Sequence, residues 1–155
     1  MDKILQTRIE EIEPIHMNKH EDYEFRVRPL VPRGAAGQCI VYAYEIPPGK
    51  SKFPYHWHTA KEESFYILSG TGELRTPEGV RPVSAGDFLF FPTGEQGAHK
   101  LTNVSENEDL VYLDFDTENP LDACFYPDSG KVGIYGSGIM QIYRTSSQVE
   151  YYDGE

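Results

Sequence analysis

Two histidines and a glutamate stand close together in the segment YHWHTAKEESFYILSG. His56 and His58 are two residues apart, so on a β-strand both imidazole rings project from the same face. Glu63 begins the apolar run that follows, and its carboxylate can complete a set of two histidines and one carboxylate. That ligand set suits non-haem iron and also accepts zinc, manganese or nickel. The spacing therefore predicts one divalent metal ion, with His99 as a fourth ligand if the chain closes into a barrel.

Other residues compete for these roles. Glu62 is adjacent to Glu63, and because neighbouring side chains on a strand face opposite ways, only one of the two can point with the histidines. His16 and His20 are four residues apart, which would align them on a helix, but Pro14 and the polar run HMNKHED favour a solvated arm. A lone histidine beside aromatic residues is more often packed than bound to a metal, so the metal hypothesis depends on the closely spaced pair.

The elements that must position these residues are short runs rich in β-branched and aromatic side chains. They are QCIVYAYEI, KFPYHWH, ESFYILS, GELRT, VRPVS, DFLFFP, AHKLTNV, LVYLDFD, GIMQIYR and VEYYDGE. Turn residues such as GTG at 70–72 and PTG at 92–94 separate them. Many short strands with almost no helical periodicity predict an all-β sandwich or barrel. Tyr42 and Tyr44 share one strand face, which predicts core packing unless that face lines a cavity.

The first 33 residues have a different character from the rest of the chain. They are polar and charged, and Pro14, Pro29 and Pro32 would interrupt a long helix. We expect an arm over residues 1–33, extended or forming an edge strand, and a barrel domain over residues 34–155. The arm carries isolated apolar residues, namely Ile4, Leu5, Ile9 and Ile12. Such a segment can add a strand to the sheet edge of a second copy, so the sequence predicts a homodimer with strand exchange.

Composition limits the classes of partner. The 155 residues suit one domain, and 39% hydrophobic residues are enough to bury a core. The 14 basic residues against 25 acidic ones give a formal charge of −11, which argues against a nucleic-acid partner. No segment has the length and hydrophobicity of a signal peptide or a membrane span, so a cytoplasmic protein with no membrane partner is expected. Cys39 and Cys124 lie in apolar settings and are expected to be buried free thiols.

Two stretches resemble the motifs of the cupin family. The first cupin motif has a glycine, HxH, a glutamate and a second glycine, and the matching residues here are Gly49, His56, His58, Glu63 and Gly70, with one extra residue before the histidines. The motif has six residues between the glutamate and the second glycine, and Glu63 but not Glu62 has this spacing to Gly70. The second motif is matched by Gly86, by PTG at 92–94, by His99 and by Asn103, and its loop before His99 is two residues longer than usual.

The resemblance implies a double-stranded β-helix, the jelly-roll barrel of cupins, with one metal ion on His56, His58, Glu63 and His99. The segments DACFYPDSGKVGIYG and YYDGE further resemble a bacterial group of single-domain cupins whose members mostly have no assigned reaction. The resemblance therefore indicates a fold and a metal site and names no catalytic residue.

Two functional hypotheses follow from such a site. The first is a metal-dependent enzyme, a dioxygenase, isomerase or decarboxylase, that acts on a small polar organic molecule, because a metal with three or four protein ligands keeps positions open. The second is a non-catalytic module that binds a sugar-like or acidic small molecule in the same barrel mouth. Storage and DNA-regulator cupins are disfavoured, since the chain has one motif set and no room for a helix-turn-helix domain. A sugar-phosphate isomerase is disfavoured because Lys61 and Lys100 form no evident phosphate clamp.

Overall fold

Almost all regular structure in the computed structural model, which describes residues 4–155, is β-strand. The strands are β1 (Ile15–His20), β2 (Tyr23–Val31), β3 (Cys39–Ile46), β4 (Trp57–His58), β5 (Glu63–Ser69), β6 (Thr71–Thr76), β7 (Gly79–Ser84), β8 (Phe88–Phe91), β9 (Lys100–Asn103), β10 (Leu110–Thr117), β11 (Leu121–Tyr126), β12 (Lys131–Gly136) and β13 (Ile139–Arg144). Short 3-10 turns occupy Ile9–Glu11, Glu95–Gly97, Pro127–Ser129 and Thr145–Ser147. The described residues contain no α-helix, which confirms the prediction of an all-β fold.

The strands form three antiparallel sheets that close around one interior. The sheet orders are β1-β2-β3-β10-β5-β8, β13-β12-β11-β4 and β7-β6-β9. Ser51 forms backbone bridges to Tyr23 in the first sheet and to Thr102 in the third, and His56 bridges to His99 beside the second and third sheets. These bridges join the sheets into a barrel, as the jelly-roll prediction requires.

The core lies between the inward faces of the six-stranded and three-stranded sheets. Its buried members are Tyr44, Ile46, Phe65, Ile67, Leu74, Val83, Phe91, Leu101, Leu110 and Tyr112. Strand β5 shows the alternation that the sequence predicts, because Glu63, Phe65 and Ile67 are buried while Tyr66 and Leu68 are exposed. The strand register that aims Glu63 inward is thus set by the same pattern that buries apolar side chains.

Residues 15–31 of the N-terminal arm are part of the barrel sheet. They form the hairpin β1–β2, whose second strand pairs with β3 of the same chain, so that β1 is an edge strand. Ion pairs reinforce this pairing, because Arg26 donates from Nε to Glu45 at 2.8 Å and Arg28 binds the other oxygen of that carboxylate. Strand exchange with a second copy stays a prediction.

Three local expectations were wrong. Residues 149–155 form turns and no strand, and their tyrosines Tyr151 and Tyr152 are exposed. Only Trp57–His58 of KFPYHWH is a strand, since Pro54 lacks the N–H that a ladder needs. Cys124 is a buried free thiol as expected, but Cys39 is exposed.

None of the helical segments among residues 4–155 has the length and hydrophobicity needed to span a membrane.

Candidate metal centre

Three imidazole nitrogens converge on one carboxylate oxygen inside the barrel. The Glu63 Oε2 atom lies 3.3 Å from His99 Nε2, 3.6 Å from His58 Nε2 and 3.7 Å from His56 Nε2. Each distance exceeds that of an ordinary N–H···O hydrogen bond, so the three rings approach Glu63 Oε2 without satisfying it. The structure therefore brings together the four residues that the sequence analysis selected.

The strand pairing explains how distant parts of the chain meet here. His56 and His99 exchange two backbone hydrogen bonds, with His56 N donating to His99 O at 3.1 Å and His99 N donating to His56 O at 2.9 Å. His58 lies in β4, which pairs with β11 at Cys124. Glu63 is the first residue of β5 and faces inward. Three separate pairings thus fix the four side chains.

Each of the three histidines is held by its other ring nitrogen. The Nδ1 atoms of His56 and His99 lie 2.8 Å and 2.9 Å from backbone carbonyl oxygens, those of Pro54 and Gly97 respectively. The His58 Nδ1 atom binds the Asp122 carboxylate. Because carbonyl and carboxylate oxygens only accept, Nδ1 carries the proton in each ring. The Nε2 lone pair of a neutral ring then points toward Glu63, which is the orientation that a metal ligand needs.

The electrostatics of the centre suit a bound cation. Burial lowers the pKa of His99 to about 3, so this ring is neutral at physiological pH. Burial raises the pKa of Glu63, but the contact with His56 and the proximity of the three histidines bring this pKa well below its ordinary value. Glu63 Oε2 and His99 Nε2 are buried without a hydrogen-bond partner among the described residues. A divalent metal would satisfy both atoms, so the donor set fits one.

The pKa of His58 is shifted in the opposite direction from that of His99. Burial lowers the pKa of His58, but the hydrogen bonds to Asp122 and Cys124 and the charge of Glu63 together raise it to about 10. The His58 imidazole is consequently more basic than that of His99, and a metal ion would displace the proton from its Nε2 atom. Its basicity comes mainly from Asp122, whose own pKa falls to about 2 through the same contact despite partial burial.

Ligand atoms are close enough for metal binding in three overlapping groups of described residues. His56, Glu63 and His99 offer atoms within 4.8 Å of one another, and His56, His58 and Cys124 form a second such group. Glu63, Asp114 and Asp116 form the third. The centre therefore has more donor groups than the four that the sequence analysis selected.

The competing residues lie away from this centre. Glu62 is exposed, and its backbone N–H donates to Thr117 Oγ1 at 2.9 Å. His16 contacts Glu24 through Nε2 at 2.9 Å, and the His20 Nδ1 atom accepts from the backbone N–H of Asp22. Both histidines are exposed and belong to β1 of the β1–β2 hairpin.

A cavity of about 930 Å³ opens above the metal centre. Its wall includes His56, His58 and Glu63, and also Ile40 and Tyr42 of β3. This face of β3 therefore has both of the roles that the sequence analysis left open. Ile40 and Tyr42 line the cavity, and the deeper residues Tyr44 and Ile46 belong to the core. The volume lies within the range of small-molecule sites.

The sequence analysis considered Lys61 only as a phosphate contact, and it missed Lys52, Asp114, Asp116 and Asp122 beside the centre. Lys52 binds Asp114, Lys61 binds Asp116 at 2.9 Å between Nζ and Oδ2, and Asp122 binds His58. Burial lowers the pKa of Lys52, but the Asp114 charge reverses this and raises the pKa above its ordinary value. The sequence did contain a pattern that could have identified the three aspartates. The alternation in LVYLDFDT and LDACFY places Asp114, Asp116 and Asp122 on the inward face of their strands.

The comparison with protein families adds a sequence match to this geometry. A family model described as the cupin domain matches residues 42–116, a range that includes all four candidate ligands.

The proteins that are similar to the chain include two curated relatives and one crystal structure with high coverage. The oxalate-binding protein of Thermotoga maritima is 36% identical over 69 residues, which are 44% of this chain and 54% of that protein. An oxalate decarboxylase of Arthroderma benhamiae is 39% identical over 64 residues, which are 38% of this chain and 15% of that protein. The chain thus spans about half of one curated relative and a small part of the other. A crystal structure from Acidithiobacillus ferrooxidans, of a protein provisionally described as a sugar phosphate isomerase, is 26% identical, covers 94% of this chain and 95% of its own, and has a TM-score of 0.83.

Proposed function

The chain belongs to the cupin superfamily, and from this premise we propose that it binds one divalent metal ion through His56, His58, Glu63 and His99 and acts on a small polar organic molecule at that metal. The observation that carries the proposal is the convergence of three Nε2 atoms on Glu63 Oε2 at 3.3–3.7 Å. The hydrogen bonds at Nδ1 support it, because they orient the rings before any metal arrives. When bound, the metal supplies Lewis-acid chemistry and open coordination positions.

The chain's own residues limit what can bind beside the metal. Among residues 4–155, the lysines and arginine that line the cavity are Lys52, Lys61 and Arg33, and they pair with Asp114, Asp116 and Glu118 respectively. A phosphate dianion needs cations that are not already neutralised by carboxylates. The cavity therefore favours a small acid held at the metal over a sugar phosphate, although the structural neighbour from Acidithiobacillus ferrooxidans carries a sugar-phosphate description.

A decarboxylase, isomerase or dioxygenase reaction would use the same residues. The imidazoles and Glu63 would hold the metal, Asp122 would hold His58, and the Ile40 and Tyr42 wall would exclude water from one side of the ligand. Exclusion of water strengthens the electrostatic interactions inside such a site.

A non-catalytic binding module is the second candidate. The name of the Thermotoga maritima relative, an oxalate-binding protein, favours it. The two candidates share the metal and the cavity and differ only in whether the bound acid changes chemically.

Elemental analysis of protein purified without chelator or metal-affinity tag tests the proposal first. We expect about one divalent metal ion per chain, and a metal-free protein that takes up no iron, manganese, zinc or nickel on dialysis would refute it. Proton NMR of small hydroxy, keto and dicarboxylic acids incubated with the loaded protein then separates the candidates. Conversion of an acid supports an enzyme, and saturable binding without conversion supports the binding module.

A further inference from the structure

Two lysine–aspartate pairs lie beside the candidate metal centre. The Lys61 Nζ atom is 2.9 Å from Asp116 Oδ2, and these side chains are 12% and 7% exposed. The second pair, Lys52 with Asp114, is buried almost completely. Burying an ion pair costs desolvation free energy that the attraction often only balances, so such pairs are weak evidence for a purely stabilising role.

Asp116 directs an unsatisfied atom toward this region. Its Oδ1 atom is buried and has no hydrogen-bond partner among residues 4–155. Asp116 and Lys61 both line the cavity, and Asp116 stands directly opposite Glu63 in the β10–β5 register. Carboxylate oxygens of Glu63, Asp114 and Asp116 lie within 4.8 Å of one another. A molecule held at the metal therefore reaches Asp116 without any movement of the backbone.

A second metal ion is the competing occupant of these three carboxylates. The two lysine ammonium groups argue against it, since each already contacts one of the aspartates and would repel a second dication at short range. The neighbouring Asp114 carboxyl is the other group that can approach Asp116, because burial and the contact with Asp116 raise the pKa of Asp114 well above its ordinary value. Among ligands, a hydrogen-bond donor such as a hydroxyl group fits the Asp116 Oδ1 atom.

We propose that Lys61 and Asp116 bind the hydroxyl group of a small hydroxy acid whose carboxylate binds the metal. A hydroxyl is both a donor and an acceptor, so it donates to Asp116 Oδ1 and accepts from the Lys61 ammonium, which has three N–H donors. The inference rests on the proposed function, because it needs a metal to hold the carboxylate. It adds the class of ligand and two residues that determine specificity.

The same contacts discriminate against a dicarboxylate without a hydroxyl. Ionised oxalate has no donor, so it leaves Asp116 Oδ1 unpaired and adds negative charge near Asp114 and Asp116. The cavity of about 930 Å³ also has room for an acid larger than oxalate.

Calorimetric binding of glycolate and acetate to the metal-loaded protein tests this inference, because the two acids differ only in the hydroxyl group. We expect wild type to bind glycolate more tightly than acetate. Asp116→Asn should weaken glycolate binding about tenfold, as for loss of a hydrogen bond to a charged group, while acetate binding stays within about twofold. The matched control is Asp128→Asn, which makes the same change in the exposed Arg75–Asp128 pair and should alter neither affinity.

Metal content and thermal melting are measured on each variant. Should Asp116→Asn fail to fold, Lys61→Met removes the other contact to the hydroxyl and should abolish the preference for glycolate in the same way. Equal affinities of wild type for the two acids, or an unchanged preference in Asp116→Asn, would overturn the inference. Loss of metal from Asp116→Asn, or two metal ions per chain in wild type, would overturn it by showing that Asp116 serves a metal. A wild type without metal would instead refute the proposed function, and this inference with it.

Discussion

Two adjacent glutamates at the candidate metal centre lie in different environments. Glu63 is buried opposite Asp116, whereas Glu62 is exposed at the end of the preceding loop. Glu63→Gln keeps the size of the side chain and removes the charge that offsets a divalent cation. We expect it to weaken metal binding by more than the ~10- to 100-fold typical of residues that only support a ligand. Metal content per chain after dialysis against a weak competitor gives the readout.

Glu62→Gln is the matched control for that experiment and should retain the metal. If Glu62→Gln loses the metal while Glu63→Gln keeps it, the register of β5 at the site is off by one residue.

Asp122 supports the centre through His58. Its carboxylate accepts from the His58 ring and also from the backbone N–H of Ala60 at 2.9 Å, so it fixes both the ring and the loop after β4. We expect Asp122→Asn to lower metal affinity ~10- to 100-fold, because the amide keeps an acceptor but loses the charge that makes His58 basic. Competition with a chromophoric chelator measures the change, and an affinity equal to that of wild type would show that the contact is dispensable.

At the level of elements, the sequence was most informative where one local pattern decided the outcome. The alternation in ESFYILS predicted both the buried face of β5 and the direction of Glu63, because burial and register are the same constraint on a strand. The role of Asp122 depends instead on the pairing of β4 with β11, which joins residues more than 60 positions apart. No local pattern encodes such a contact, so only the inward face of Asp122 was predictable.

The loop before His99 depends on one close backbone approach. A Cβ on Gly97 would lie 1.8 Å from the carbonyl oxygen of Pro92, and the carbonyl of Gly97 holds His99 Nδ1 at 2.9 Å. Gly97→Ala must therefore move the loop and turn the His99 ring. We expect a loss of ~1–3 kcal/mol of stability, as for other overpacked sites, together with reduced metal content. Thermal melting and elemental analysis measure the two effects.

Gly37→Ala provides the comparison, because a Cβ at Gly37 meets nothing within 4 Å. Both its melting temperature and its metal content should match wild type. A normal metal content in Gly97→Ala would show that the loop adapts without disturbing His99.

On the scale of the whole molecule, the N-terminal segment leaves apolar side chains in solvent. Ile4 is 99% exposed and Leu5 is 48% exposed, while β1 is an edge strand of the six-stranded sheet and, among residues 4–155, pairs only with β2. An edge strand with apolar neighbours is a template for pairing with another chain. We expect a homodimer that depends on the first 20 residues, and light scattering at micromolar concentration measures it. A monomer whose mass is unaffected by deleting those residues would contradict the prediction.

Metal binding should stabilise the whole barrel, because the four candidate ligands come from β4 and the residue before it, from β5 and from the loop before β9, and meet only in the folded chain. An ion that binds the native state alone adds about 2.7 kcal/mol when its concentration is 100 times its dissociation constant. For a domain of this size that corresponds to a rise of roughly 5–10 °C in melting temperature. Calorimetric melts of wild type with metal and after verified chelation measure the difference.

Glu62→Gln should show the same rise in melting temperature on metal binding and Glu63→Gln little or none, because only the latter lacks a ligand. A rise of equal size in Glu63→Gln would mean that the metal stabilises the protein from another site.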